Sequence, residues 1–141
     1  MTIEEKKEWL NRYRDSVNRA NEIARDIAEY SYIKGVNYNL GNTRNKSARH
    51  DLAFDAIKLD NLKREYLEEC RESMRIYHSI LDALQTVDDA GDPEGWLILF
   101  LRHLRLKQFD DIVLSTGRAR VTVYRIYERT LTELEIVHET E

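Results

Sequence analysis

Apolar residues recur along this chain at spacings of three and four, the period of one helix face, almost from end to end. Leu10, Tyr13, Val17, Ala20, Ile23, Ile27 and Tyr30 form a first stripe and predict a helix over residues 2–33. Thr2 and Glu5 have the spacing of a capping box at its start. Leu59, Leu62, Tyr66, Cys70, Met74, Tyr77, Leu81 and Leu84 form a second stripe and predict a helix over residues 51–86, with Cys70 and Met74 as core residues. At 1.5 Å per residue each helix is about 45 to 55 Å long, too long for a small domain to cover. The two are therefore expected to pair as a hairpin or coiled coil, and an apolar stripe on each predicts a homo-oligomer through these helices.

Residues 34–50 interrupt the pattern. They contain Gly35, Gly41, several asparagines and no acid, so a polar basic loop is expected. Lys34, Arg44, Lys46 and Arg49 offer charge to phosphates and Tyr38 a stacking face, although a solvated connector explains the same composition.

A third periodic region follows VDDAGDPEG. Asp92 suits an N-cap, Pro93 the first helical position, and WLILFLRHL a largely buried helix in which His103 is a packing residue. Phe109, Ile112 and Val113 predict the inner face of a short helix. Gly117 supplies a turn of positive φ, and Val123, Ile126, Tyr127, Leu131 and Leu134 the inner face of a last helix. The chain is thus expected to be all-α, with a helical hairpin or oligomerisation region over residues 1–88 and a three-helix, helix-turn-helix unit over residues 89–141.

Such a unit turns Arg118, Val121 and Arg125 outward, flanked by Thr122 and Tyr124, with Arg120 at the helix start. Arginine can donate two hydrogen bonds to a guanine edge, and threonine or valine can meet a thymine methyl. Arg102, Arg105 and Lys107 stand just upstream, where they could hold the backbone of double-stranded DNA without reading sequence. Asp110 and Asp111 are expected to face away from it.

Charge changes the picture because it is uneven. The net charge of −4 resolves into +4 over residues 34–50, +4 over residues 102–127 and negative segments elsewhere, so one basic segment coincides with the helix-turn-helix candidate. Local pairing with neighbouring acids is the bland alternative. A single cysteine rules out an internal disulfide framework and favours a reducing cytoplasm. No apolar run approaches a membrane span, and MTIEEKKEW is too polar for a signal peptide, so no membrane association is expected. His50, His78, His103 and His138 are scattered, and neither a glycine-rich phosphate loop nor a zinc-ligand spacing occurs. Neither an enzyme nor a cofactor is expected.

Residues 97–134 resemble region four of bacterial sigma factors: Asp111-Ile112-Val113, Gly117 and Ala119-Arg120-Val121-Thr122-Val123-Tyr124-Arg125 match its helix, turn and reading helix. With the long helices in front, the whole chain is similar to phage-encoded regulators of the ArpU and RinA type. The chain departs from the sigma pattern at Val113, Thr116, Arg118 and Ala119, the last replacing a Ser or Thr cap worth about 1 kcal/mol. The resemblance implies a transcriptional regulator of phage or prophage genes in a bacterial host cell, binding DNA and touching RNA polymerase. Two other readings stay open, a DNA-recognising protein like the small subunit of a phage terminase, and a coiled-coil adaptor that binds only protein.

Overall fold

A computed structural model describes the backbone of residues 1–40 and 46–136 and the side chains of residues 1–31 and 55–136. The described residues form five helices: α1 (Ile3–Leu40), α2 (Lys46–Asp89), α3 (Pro93–His103), α4 (Phe109–Thr116) and α5 (Arg120–Glu133). No strand occurs among them. The all-α expectation, with two long helices before three short ones, is met.

The helix boundaries have local causes. Thr2 Oγ1 accepts from the Glu5 amide at 3.2 Å and Glu5 Oε2 accepts from the Thr2 amide at 3.0 Å, the reciprocal capping box. Asp92 caps α3 by accepting from the Gly95 amide at 3.0 Å, and Pro93 opens that helix at no cost because its missing N–H lies in the unpaired first turn. Gly117 ends α4 at φ +67°, the left-handed region predicted for it.

Two expectations about the long helices need correction. The polar loop over residues 34–50 is largely helical, since α1 runs to Leu40 and α2 begins at Lys46, while residues 41–45 lie outside the described ones. Helical hydrogen bonding needs no apolar burial at each position, and one glycine such as Gly35 costs only about 1 kcal/mol. The side chains of Lys34, Tyr38, Arg44, Lys46 and Arg49 lie outside the described residues. Met74 is not a core residue: it is 54% exposed, and Cys70 and Tyr77 are half-buried. The buried stripe at the end of α2 is Ser73, Ile76, Ile80, Leu84 and Val87, rotated by about one position from the predicted one. Both sets have helical spacing, and the partner decides which is covered.

Packing divides the chain into two compact units, Met1–Asp15 with Ser73–Glu141, and Ser16–Glu72. In the first unit Leu10 of α1 and Ile76, Ile80, Leu84 and Val87 of α2 share one core with Ile98, Leu99, Ile112, Val123, Ile126, Leu131 and Leu134. The C-terminal helices are therefore not a free-standing trio. Lys6 Nζ fastens α1 to the end of α5, donating to the carbonyls of Leu131 at 2.8 Å and Thr132 at 3.1 Å. Those carbonyls belong to the last turn, which has no partner within the helix.

In the second unit Ser16 and Ala20 are buried, while Val17, Ile23, Ile27, Leu59, Leu62 and Tyr66 are half-buried. Ser16 Oγ donates to Glu69 Oε1 at 2.8 Å, Arg19 Nε lies 3.1 Å from the same oxygen, and Tyr30 Oη donates to Asp55 at 2.7 Å. These bonds join α1 to α2 as the two arms of a helical pair.

Candidate nucleic-acid interface

The turn between α4 and α5 is built without a hydroxyl cap on α5. Ala119 sits at the N-cap in extended backbone with no side-chain hydrogen bond, as its chemistry requires. Thr116 Oγ1 donates back to the Ile112 carbonyl at 2.8 Å and accepts from the Arg118 amide at 3.4 Å, so it satisfies both ends of the turn. The order is α4, a left-handed Gly117, extended Ala119, then α5.

What lies beneath the turn orients α5. Val123, Ile126 and Tyr127 are buried, as their spacing predicted, and Thr130 is buried with its hydroxyl donating to the Ile126 carbonyl at 2.7 Å. Gly95 allows α3 to pass close to α5, because a Cβ there would collide with Thr130 Oγ1 and with the Asp92 carboxylate. That carboxylate also meets Arg129 at 3.1 Å, so the cap of α3 is tied to α5. Sequence alone did not mark Gly95 as a point of close approach.

Phe109 joins the three helices. Its ring stacks on Tyr124 at 4.5 Å, meets Tyr127 edge-on at 5.1 Å and lies under the Arg102 guanidinium at 4.7 Å. The tyrosines at 124 and 127, three apart on α5, were the signal for this aromatic seat. Behind it, His103 Nε2 and Tyr127 Oη are 2.9 Å apart. Burial pushes His103 down to about 3, with the charges of Arg102, Arg14 and Lys7 adding to the shift, so the imidazole is neutral. Burial also raises Tyr127 to about 12, against a smaller opposing effect of Arg102. A cavity of about 210 Å³ beside this pair is lined by Lys7, Asn11, Arg102, Phe109, Tyr124 and Glu128, among others. Lys7 reaches Glu128 at 3.3 Å there.

The nine candidate DNA contacts separate into groups. Val121 is 66% exposed, Arg125 and Tyr124 are exposed, and Thr122 is half-buried beside them. Arg118 Nε is 2.6 Å from Glu94 of α3, and Arg120 is paired with Asp110 of α4. Asp110 therefore stands on the same side as the start of α5, against Arg120. Sequence reasoning missed both acids as partners because they lie 24 and 10 residues from their arginines. Arg102 also donates to the Lys107 carbonyl at 3.1 Å, and Arg105 lies over Phe100 at 5.5 Å. Arg125 and the Lys107 ammonium have no ion partner among the described residues.

The loop before α4 bends at Leu106, with φ 56°, and the Lys107 amide donates to the Leu101 carbonyl at 2.9 Å. This aims Lys107 outward near the start of α4. No helix among the described residues is long and apolar enough to cross a membrane, and none of their His, Cys, Asp and Glu side chains form a group suited to a metal.

Compared with protein-family models, curated proteins and solved structures, the chain matches none.

Proposed function

We propose that this chain is a DNA-binding transcriptional regulator of phage or prophage genes, acting on double-stranded DNA through α4, the Gly117 turn and α5. The observation that carries the reading is the two-sided character of α5: Val123, Ile126 and Tyr127 anchor it, while Arg120, Val121, Tyr124 and Arg125 occupy its exposed first two turns. A helix held from behind, with arginines and an apolar side chain at its outer N-terminal end, suits a major groove. In this reading Arg125 serves base or phosphate contact, Val121 a thymine methyl, and Lys107, Arg102 and Arg105 the backbone. The regulatory role and a contact with RNA polymerase rest on the resemblance to sigma region four and the ArpU and RinA type.

Two copies paired through the long helices would place half-sites about one helical turn apart, or at multiples of it. Sedimentation as a monomer at micromolar concentration would remove that part of the proposal. The main test selects bound fragments from the source genome and footprints the winner. Protection beside a promoter is the expected result; protection at a packaging site would favour a terminase-like role. Arg120→Ala should weaken the selected site by about 1–3 kcal/mol, whereas Arg125→Ala and Lys107→Ala should weaken all sequences alike. No enrichment at moderate salt would overturn DNA binding.

A further inference from the structure

Two of the arginines on the proposed reading face carry their own counter-charges. Arg118 Nε meets Glu94 Oε1 at 2.6 Å, and Arg120 is paired with Asp110, while Arg125 and Lys107 have no such partner among the described residues. Both pairs face solvent: side-chain exposure is 53% for Arg118 and 61% for Arg120. The carboxylates come from other helices, α3 and α4, and so are placed by the fold rather than by neighbours on α5.

The two kinds of cation respond differently to DNA. A bare guanidinium gains from any phosphate by releasing a counterion. A guanidinium already neutralised by a carboxylate gains little, and it brings a negative charge toward a negative backbone. A guanine edge is neutral and offers two acceptors, so the N–H groups left outside the ion pair can reach it without that repulsion.

We propose that Glu94 and Asp110 determine specificity at this face, by holding Arg118 and Arg120 in ion pairs that disfavour phosphate and leave donors for a neutral base edge. Arg125 and Lys107 then supply the phosphate grip. The inference rests on the DNA-binding reading. It makes Glu94 and Asp110 positioning residues that act through their arginines.

The test compares the full-length protein with E94Q, D110N and D111N on a mixed-sequence duplex and on the fragment selected from the genome, across a salt series. Asp111 is the control, since it shares the first turn of α4 but has no ion partner among the described residues. E94Q and D110N should each bind the mixed-sequence duplex roughly two- to fivefold more tightly, the effect of releasing an exposed ion pair. The salt dependence should steepen by about 0.9 in log–log slope for each freed arginine. The preference for the selected fragment should fall, and adding Arg120→Ala to D110N should cancel the gain. Thermal midpoints measured alongside report on folding. If E94Q and D110N match D111N in affinity and slope while the wild type binds DNA, the inference is wrong and the DNA reading stands. If none of the four proteins binds either duplex at low salt, both fall.

Discussion

The unit formed by Met1–Asp15 with Ser73–Glu141 and the unit Ser16–Glu72 are both helical, yet different forces hold them. In the first, Leu10, Ile80, Leu84, Ile98, Leu99, Ile112 and Leu131 are fully buried, and the aromatic rings of Phe109, Tyr124 and Tyr127 lock α4 to α5. In the second, the described seam buries Ser16 and Ala20 and is joined by Glu69 with Ser16 and Arg19, and by Tyr30 with Asp55. Burial of apolar surface is non-directional and large, so it can hold α5 in one orientation from several sides. Hydrogen bonds between two half-exposed helices contribute about 1 kcal/mol each and act mainly on register. The reading role proposed for α5 needs the former kind of support, because contacts to bases tolerate little displacement.

Truncating one leucine in each unit should separate the two most sharply. Leu131→Ala should cost about 2–5 kcal/mol in urea unfolding, while Leu62→Ala, at a half-buried position, should cost clearly less. Equal losses would show that the two units are supported alike.

Acid should reveal the buried imidazole next. His103 takes up a proton near 6.5 when unfolded but only near 3 when folded, so its stabilising contribution is complete above about pH 6.5 and is lost as pH falls toward 3. The slope is about 1.4 kcal/mol per pH unit within that window. His103→Phe should flatten the fall of the urea midpoint between neutral and mildly acidic pH, and no substitution in Ser16–Glu72 should do so. An unchanged slope in this variant would place the acid sensitivity elsewhere.

Gly95→Ala should destabilise by about 1–3 kcal/mol, because the added methyl strikes Thr130 of α5 and the capping Asp92. Thermal melting measures it, and a neutral result would mean that Asp92 can swing away freely. The smallest effect belongs to the polar seam. Glu69→Gln removes the ion pair with Arg19 while keeping an acceptor for Ser16, and should change the melting midpoint by less than about 1 kcal/mol in equivalent stability.

Some of this molecule was legible before any coordinates. Thr2 with Glu5, Asp92 with Pro93, and Gly117 are local devices whose partners lie within four residues, so their chemistry needed nothing distant. The inner face of α5 was equally readable, since Val123, Ile126, Tyr127 and Leu131 share one helical spacing and are buried, and the predicted Leu134 is buried one residue past the helix end. At the end of α2, by contrast, Met74, Tyr77 and Leu81 and the buried Ser73, Ile76 and Ile80 offer two adjoining faces of similar period. The helical backbone over residues 34–40 and 46–50 was hidden because composition reports burial poorly for a helix that need not bury each turn.

The candidate face follows the same division. Its exposed arginines could be named from the sequence, but their state could not: Glu94 and Asp110 reach Arg118 and Arg120 only because α3 and α4 pack against α5. Periodicity, caps and turn residues determined five helices and the outward side of the last one, since these depend on interactions within one or two turns. Tertiary packing decided which stripe of α2 is buried, that α1 and α2 close the core of the C-terminal helices, and which cations are already paired. Those outcomes depend on groups far apart in sequence, where side-chain spacing carries no information about who will be the neighbour.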